Sequence, residues 1–196
     1  MKQFTVATTN PDKLHEIRAA LEHLTDWQAS SQPATLPPFE ETGSTFVENA
    51  ILKAIQVSGS VDGLVLGDDS GLCVDALDGR PGIFSARYAE SAGGRIQRVL
   101  TEMIQVPQGR RRASFICALA LARNRSLIWT TEGRVEGEIG FEPSGTGGFG
   151  YDPIFRLPHL GLTMAELTLE EKNKISHRGL ALQRLAAYLN SVKNDP

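Results

Sequence analysis

Apolar and polar positions alternate along the chain in a way that predicts a series of strands and helices. Residues 4–8 alternate and are rich in β-formers, which predicts a first strand. Asn10 is a good N-cap and Pro11 suits a first helical position, so a helix is predicted after them. Its apolar stripe is Leu14, Ile17, Leu21 and Leu24.

A second helix is predicted from Thr45, which forms a capping-box pattern with Glu48. Its apolar face would be Val47, Ala50, Ile51, Ala54 and Ile55, with Glu48, Asn49 and Lys53 outside that stripe. Residues 29–43 are rich in Ser, Pro and Thr, so they are predicted to be a loop.

The middle of the chain is predicted to contain mostly strands. The apolar runs 64–66 and 72–74 flank the acidic stretch 68–71, which predicts a strand, a tight connection and a second strand. Residues 113–122 are apolar in both alternations, as expected for a strand covered on both faces, and residues 127–138 alternate like a half-exposed strand. Residues 110–112, three arginines, are predicted to be a solvated turn.

Three further helices are predicted. Residues 95–106 would turn Ile96, Val99, Leu100, Met103 and Ile104 inward. A capping box at residues 168–171 opens a short helix that contains Lys172, and residues 176–179 interrupt it. The last helix would bury Leu182, Leu185, Ala186 and Leu189. Strands that alternate with helices, followed by a strand-rich middle, favour an α/β fold with a mixed sheet.

The stretch Asp68-Asp69-Ser70-Gly71 is the first candidate for chemistry. Adjacent carboxylates repel each other, and burial costs them free energy unless a cation or hydrogen-bond donors compensate. Mg²⁺ typically takes one or two carboxylates together with substrate phosphates, so a metal site is one interpretation. Asp, Ser and Gly are also ordinary turn residues, so a simple turn is the other.

Other positions extend the metal-site interpretation, and each also has an ordinary one. Lys13 is in the first turn of a helix, where the positive end of the helix dipole disfavours a cation. A phosphate bound there would offset this penalty. The other interpretation is an exposed lysine. Glu41 is a second metal ligand or a solvated loop acid. His177 and Arg178 offer several donors at one helix start, or form a surface pair near a cap.

Residues 140–153 form a glycine-dense loop in which residues 145–150 formally satisfy G-x-G-x-x-G. The match lies late in the chain and is followed by Tyr-Asp-Pro rather than a helix, so a dinucleotide-binding fold is rejected. The loop is better interpreted as backbone that makes room for a ligand, with Phe149 stacking on a base and Asp152 accepting N–H groups. The alternative is a mobile hairpin loop.

Composition limits the partners. The chain has 196 residues, 41% hydrophobic and 22% charged, with a net charge of -3. This charge favours neither a nucleic-acid polymer nor an anionic membrane, whereas a small phosphorylated ligand needs only a local basic site. Cys73 and Cys117 lie in apolar runs and are expected to be buried free thiols. No signal-peptide or membrane-span pattern is present, so the cytoplasm is the expected location.

Six stretches together resemble the inosine triphosphate pyrophosphatase family, also called the Ham1 or RdgB-like family. In order along the chain they are residues 8–13, 41–53, 68–71, 81–88, 145–152, and 165–172 together with 176–178. Thr9 departs from the bacterial pattern, which usually has Gly there, and this bears on how closely the first loop approaches a triphosphate.

The resemblance implies an elongated two-lobed α/β fold, with a mixed β-sheet, flanking helices and a central cleft, as a single domain over residues 1–196. It implies hydrolysis of the deaminated purine nucleotides ITP, dITP and XTP to monophosphate and pyrophosphate, with Mg²⁺ as cofactor, in a homodimer. Asp69 is then the first metal ligand and water-activating base, Glu41 the second ligand, and Asp68 a group that shares the catalytic work. The substrate-binding residues would be Thr8, Thr9, Asn10, Pro11, Asp12, Lys13, Lys53, Ser70, Phe149, Gly150, Tyr151, Asp152, Lys172, His177 and Arg178.

Selectivity is expected to depend on the oxygen at C6 of hypoxanthine and xanthine. Donors from His177 and Arg178 would pair with it, whereas adenine would leave them unpaired in a closed pocket. Guanine shares the oxygen, so its rejection would depend on its 2-amino group and the loop that carries Phe149.

Three other functions compete with this one. A Maf-type pyrophosphatase would prefer other bases, and a nucleotide sensor would bind ITP without releasing pyrophosphate. A haloacid-dehalogenase-type phosphatase would need Asp-x-Asp after the first strand, where Thr8-Thr9-Asn10 stands.

Overall fold

The structure is a computed structural model that describes residues 2–36 and 41–192. Over these residues a seven-stranded mixed sheet runs in the order β2-β1-β3-β4-β5-β6-β7. The strands are β1 (Lys2–Ala7), β2 (Trp27–Ser31), β3 (Leu64–Val74), β4 (Arg112–Arg123), β5 (Ser126–Ile139), β6 (Phe155–Leu157) and β7 (Leu162–Thr163). β1 lies parallel to β2 and β3, and every later pairing is antiparallel, which confirms the α/β class and the mixed sheet.

Five α-helices flank the described sheet: α1 (Pro11–Leu21), α2 (Phe46–Ser58), α3 (Ala92–Glu102), α4 (Leu169–Ile175) and α5 (His177–Ser191). Asn10 caps α1 by accepting from the backbone N–H groups of Asp12 and Lys13. Thr168 and Glu171 form the predicted capping box of α4. At α2 only half of the predicted box forms, because Thr45 accepts from Glu48 N while the Glu48 carboxylate accepts from Ser44.

The predicted hairpin at residues 64–74 is wrong. These residues form the single strand β3, which pairs with β4 without interruption from Val65 to Val74. Glycine is needed at two β3 positions because neighbouring atoms approach closely. A Cβ on Gly67 would lie 2.0 Å from the carbonyl oxygen of Ala50 in α2, and one on Gly71 would lie 2.4 Å from Ser85 Oγ. The turn-like composition therefore reflects close packing and charge pairing within a strand.

Four other predictions are corrected by the structure. Residues 29–31 of the predicted loop belong to β2, and residues 37–40 of that loop lie outside the described residues. Asn49 and Lys53 lie on the buried face of α2, not outside it. Arg111 is buried, because its guanidinium donates to four backbone carbonyl oxygens of the segments around it. Ile104 follows the end of α3 and is exposed.

The long strands β3, β4 and β5 connect two apolar clusters. One cluster packs α1 and α5 against residues such as Leu66 and Leu119, and the other surrounds Leu72 and Phe115. Residues 68–71 lie between these ends, where the apolar packing gives way to charged side chains. Across the part of the chain that the structure describes, no helix combines the length and apolar character that crossing a membrane would require.

Candidate active site

A cleft opens beside the middle of β3 and is bordered by residues from most parts of the chain. One end, which we call the carboxylate end, carries Asn10, Lys13, Glu41, Asp69 and Ser70. The other, which we call the aromatic end, carries Phe115, Phe149, Gly150, Tyr151, Asp152, Lys172, His177 and Arg178. The lining is completed by Gly71, Ile83, Ser85, Ala86 and Arg95.

Asp68 is fully engaged with cations. Its carboxylate lies 2.5 Å from Lys13 Nζ and 2.9 Å from Arg178 Nε, and the residue is only 1% exposed. Burial alone would raise the pKa of this carboxyl, but Arg178 and Lys13 outweigh it and hold the pKa far below its usual range. Asp68 is therefore a permanently ionised counter-ion rather than a group that exchanges protons near neutral pH.

Asp69 has a different environment, because successive side chains of a strand point to opposite faces. One carboxylate oxygen, Oδ1, accepts from Lys53 Nζ at 2.7 Å, while Oδ2 is buried without a hydrogen-bond partner among the described residues. Burial raises the pKa of Asp69 despite the attraction of Lys53. A buried carboxylate oxygen without a partner costs free energy, so this atom is a natural contact for a ligand, a water molecule or a cation.

Glu41 joins Asp69 through a shared lysine. Lys53 Nζ lies 2.6 Å from Glu41 Oε1, and Arg87 Nη1 lies 2.8 Å from Glu41 Oε2. Burial alone would lower the pKa of Lys53, but the carboxylates of Asp69 and Glu41 outweigh it and raise the pKa. The segment that carries Glu41 is fixed by the buried Asn49, whose Oδ1 accepts from Gly43 N at 2.8 Å.

These two carboxylates fit a hard divalent cation. Both carboxylates contact Lys53 Nζ, so they lie close together, and Asp69 Oδ2 has no hydrogen-bond partner among the described residues. Within residues 2–36 and 41–192, no group of three or more His, Cys, Asp or Glu side chains is arranged to hold a metal. A metal here would therefore draw its other ligands from water and a bound phosphate, which is the usual pattern for Mg²⁺.

At the aromatic end, Asp152 fixes the glycine-rich loop. Its Oδ2 accepts from the backbone N–H of Phe149 at 2.8 Å and from Lys172 Nζ. Lys172 Nζ also lies 2.6 Å from Glu16 Oε1, and it lies 5.0 Å from the centroid of the Phe149 ring. Asp152 is thus occupied with positioning the loop, and its pKa is raised by burial despite Lys172.

Arg178 links the two ends of the cleft. Its three guanidinium nitrogens bind Asp68, Glu16 and Ser70, with Glu16 Oε2 at 2.5 Å and Ser70 Oγ at 2.8 Å. The side chain is 1% exposed, so most of its donors are not available to a ligand. The predicted contact of this side chain with a base is therefore limited. The guanidinium carbon Cζ of Arg178 lies 5.6 Å from the centroid of the Phe149 ring.

His177 is better placed to contact a ligand. Its ring stacks on Phe115 at 4.7 Å between centroids, and Nδ1 is buried without a hydrogen-bond partner among the described residues. Burial, with help from Arg178 and Lys172, lowers the pKa of His177 well below its usual value, so the ring is neutral. As the first residue of α5, His177 also presents a backbone N–H that an α-helix leaves without an intrahelical partner.

The predicted site residues divide into two groups. Twelve line the cleft: Asn10, Lys13, Glu41, Asp69, Ser70, Phe149, Gly150, Tyr151, Asp152, Lys172, His177 and Arg178. Six do not line it: Thr8, Thr9, Pro11, Asp12, Lys53 and Asp68. Of these, Lys53 and Asp68 support lining residues from behind, and Thr8 Oγ1 accepts from Asn10 N at 3.1 Å.

Sequence reasoning missed six lining residues and two residues that support the lining, namely Gly71, Ile83, Ser85, Ala86, Arg95 and Phe115, and Glu16 and Arg87. Glu16 is the buried partner of both Lys172 and Arg178, and its position three residues after Lys13 on α1 was the available signal. Arg87 holds Glu41. Ser85 accepts from Leu72 N in β3 through its Oγ, and its carbonyl oxygen accepts from Tyr151 Oη at 2.9 Å, so Tyr151 has its hydroxyl engaged.

Comparison with known proteins places this arrangement in a family. The model of the Ham1 family matches residues 4–188. A dITP/XTP pyrophosphatase of Halalkalibacterium halodurans is 48% identical over 97% of this chain and 100% of its own length. One from Bacillus subtilis is 46% identical over 97% of this chain and 98% of its own length. A solved HAM1 protein from Coxiella burnetii has 42% identity and a TM-score of 0.87, covering 97% of this chain and 100% of that one. A match of this extent, in sequence and in fold, means that the chain belongs to the Ham1 family.

Proposed function

We propose that this protein hydrolyses the deaminated purine nucleotides ITP, dITP and XTP to the monophosphate and pyrophosphate. The full-length relatives named dITP/XTP pyrophosphatase support the reaction and the substrate class. The observation that carries the proposal is the position of Asp69, which lines a cleft with Lys13 at the same end and aromatic side chains at the other, and whose buried Oδ2 has no hydrogen-bond partner among the described residues.

Asp69 and Glu41 are the residues that would hold Mg²⁺. When bound, the ion would neutralise phosphate oxygens and polarise the phosphorus that is attacked. Lys53 holds both carboxylates in place from behind, and Arg87 fixes the second oxygen of Glu41. The metal ligands are thus oriented before any substrate arrives.

Asp69 also acts as the general base. Its pKa is raised by burial, so its carboxylate is a better proton acceptor than an exposed aspartate. It takes the proton of the water that attacks the α-phosphorus. Asp68, held ionised by Arg178 and Lys13, does not accept this proton; it keeps those two cations in position.

The start of α1 binds the phosphates. Lys13 lies in the first turn, where the helix dipole favours an anion, while Asn10 Oδ1 accepts from the backbone N–H groups of Asp12 and Lys13. Asn10 fixes that turn, and Ser70 lines the cleft beside Asp69. Lys53 contributes its charge from behind Asp69 rather than by direct contact.

The base is recognised at the aromatic end. The oxygen at C6 of hypoxanthine or xanthine accepts from the N–H groups at the start of α5 and from His177, while Phe149 stacks on the ring. Adenine presents an amino donor there, which would leave buried donors facing another donor. The neutral state of His177 suits this role because an uncharged ring does not repel Lys172 and Arg178.

The proposed reaction is tested by measuring pyrophosphate release from ITP, dITP, XTP, GTP, ATP, UTP and dTTP, with and without Mg²⁺. We expect release from the first three alone, and only with Mg²⁺. A preference for UTP or dTTP would support a Maf-type enzyme. Binding of ITP with no release would support a sensor.

The base pocket is tested by Phe149→Ala, which should narrow the gap in kcat/KM between ITP and GTP. Phe141→Ala is the matched control, because Phe141 is a 63% exposed phenylalanine of the same loop region, stacked on Arg111. Equal preference in Phe149→Ala and the parent protein would mean that the base binds elsewhere. Asp152→Ala should also narrow the gap, through loss of the hydrogen bond that holds Phe149 N.

We also infer that residues 1–196 form one two-lobed domain, that two copies form a homodimer, and that the enzyme works in the cytoplasm. The apolar clusters at both ends of the shared strands β3 to β5 support the single domain. A single cooperative unfolding transition, the mass in solution and the location of a tagged copy in cells are the measurements that check these three points.

A further inference from the structure

The cations of the cleft are almost all neutralised by the protein itself. Each of five cations lies within 2.9 Å of a carboxylate, and the carboxylates that pair with them are also five. The cations are Lys13, Lys53, Arg87, Lys172 and Arg178, and the acids are Glu16, Glu41, Asp68, Asp69 and Asp152. This set has no net charge with which to attract a triphosphate.

Arg95 is a further cation that lines the same cleft. It lies in the first turns of α3, it is half-buried, and its Nη1 donates to the carbonyl oxygen of Ala86 at 3.1 Å. Among residues 2–36 and 41–192, no carboxylate forms an ion pair with it. Arg95 therefore adds a positive charge that the described acids do not cancel.

The anchor of Arg95 lies between residues that contact both ends of the cleft. Ala86 is the neighbour of Arg87, whose guanidinium binds Glu41, one of the two proposed metal ligands. Ala86 also follows Ser85, whose carbonyl oxygen accepts from Tyr151 Oη, and the charge of Arg95 opposes the rise that burial causes in the pKa of Tyr151. The aromatic end already has Lys172 and Arg178 close to the Phe149 ring.

We propose that Arg95 binds the terminal phosphates of the substrate, which leave as pyrophosphate. This inference rests on the proposed function. Its guanidinium offers planar paired donors that match phosphate oxygens, and one nitrogen is held by Ala86 O so that the group is oriented in advance. The contact stabilises the charge that the leaving group gains when the bond from the α-phosphorus to the bridging oxygen breaks and that oxygen keeps the electron pair.

The test measures the binding of two probes, inorganic pyrophosphate and IMP, by calorimetry with Mg²⁺ present, so that it can be read without turnover. For Arg95→Gln we expect the Kd of pyrophosphate to rise about tenfold while the Kd of IMP stays within about twofold. Arg95→Lys should recover part of the lost affinity for pyrophosphate, because lysine keeps the positive charge but lacks the paired donors of a guanidinium group.

Arg98→Gln is the matched control. Arg98 lies one turn further along α3, but its guanidinium binds Glu102 at 2.9 Å and it does not line the cleft. This variant should bind both probes like the parent protein.

Two outcomes would overturn the assignment. Unchanged pyrophosphate binding in Arg95→Gln would mean that Arg95 does not contact phosphates. An equal loss for IMP and pyrophosphate would mean that it contacts the nucleoside or its α-phosphate instead. Failure of the proposed function would look different: the parent protein would release no pyrophosphate from ITP, whatever the two Kd values are.

Discussion

Two neighbouring aspartates of one strand have opposite electrostatic environments. Asp68 and Asp69 are both almost fully buried, yet the first has a strongly lowered pKa and the second a raised one. Asp68 faces two cations, Lys13 and Arg178, and no acid of the described residues competes for it. Asp69 shares one lysine with Glu41, and its Oδ2 has no hydrogen-bond partner within the part of the chain that the structure describes.

The period of the strand explains this difference. Adjacent residues point to opposite faces, so the pair Asp68-Asp69 supplies one carboxylate to each side of the sheet. On one side the carboxylate completes a chain of alternating charges that runs from Lys13 through Arg178 and Glu16 to Lys172. On the other side, the carboxylate of Asp69 remains available to bind a ligand or a cation. The same residue type can thus serve stability and chemistry at consecutive positions.

The largest effect is expected for the turnover of Asp69→Asn. Loss of the general base should lower kcat by about 10³-fold, within the range of roughly 10²–10⁴ known for such groups. Folding should persist, because Lys53 keeps Glu41 as a partner. Steady-state kinetics with ITP and a thermal unfolding curve check both parts. If the variant retained robust hydrolysis, Asp69 would have no part in the mechanism.

The second largest effect is expected for the stability of Asp68→Asn. This change leaves the buried guanidinium of Arg178 with Glu16 as its remaining carboxylate, and breaking a buried ion pair costs roughly 3–5 kcal/mol. We expect the free energy of unfolding to fall by about 3 kcal/mol, because asparagine keeps one acceptor oxygen. Urea unfolding measures it, with Asp69→Asn as the matched control. Equal free energies of unfolding for the two variants would mean that Asp68 does not stabilise the fold more than Asp69 does.

The local pattern of the sequence could predict most strands and helices, but not the strand through Asp68 and Asp69. Turn-forming composition was the visible signal, whereas the groups that stabilise a straight strand there are distant in sequence. Lys13 lies 55 positions before Asp68 and Arg178 lies 110 positions after it. A pattern read over ten residues contains no information about such partners.

More of the residues that line the cleft were predicted than of the residues that support them. The residues that line the cleft came largely from the family resemblance, while Glu16 and Arg87 were missed because each acts on another side chain. Lys53 was placed outside the apolar stripe of α2, yet it is 6% exposed. Its long apolar stem can lie along the buried face while its ammonium reaches Asp69, so polarity alone misjudged its position.

A smaller effect is expected for Lys13→Ala. The KM for ITP should rise about tenfold through loss of a phosphate contact. Asp68 keeps Arg178, so the melting temperature should change by only a few degrees, as expected for about 1 kcal/mol. Steady-state kinetics and thermal unfolding are the measurements. A large drop in melting temperature with an unchanged KM would make Lys13 a structural residue of the Asp68 side.

The smallest effect is a difference in the pH dependence of stability, measured by urea unfolding in metal-free buffer. Asp68 has a lowered pKa in the folded state, so its stabilisation is complete above the unfolded value of about 3.9 and is lost as the pH falls further. Asp69 has a raised pKa, so its charge destabilises the fold near pH 7, and that cost disappears as the pH falls through the folded-state pKa.

The two asparagine variants should therefore approach the parent protein in different pH ranges. Asp69→Asn should be more stable than the parent at pH 7 and should converge with it as the pH falls towards the unfolded value of about 3.9. Asp68→Asn should be less stable and should converge only below that value. Convergence of both variants in the same range would mean that Lys53 balances the burial of Asp69, and that the two aspartates differ in their partners but not in their titration.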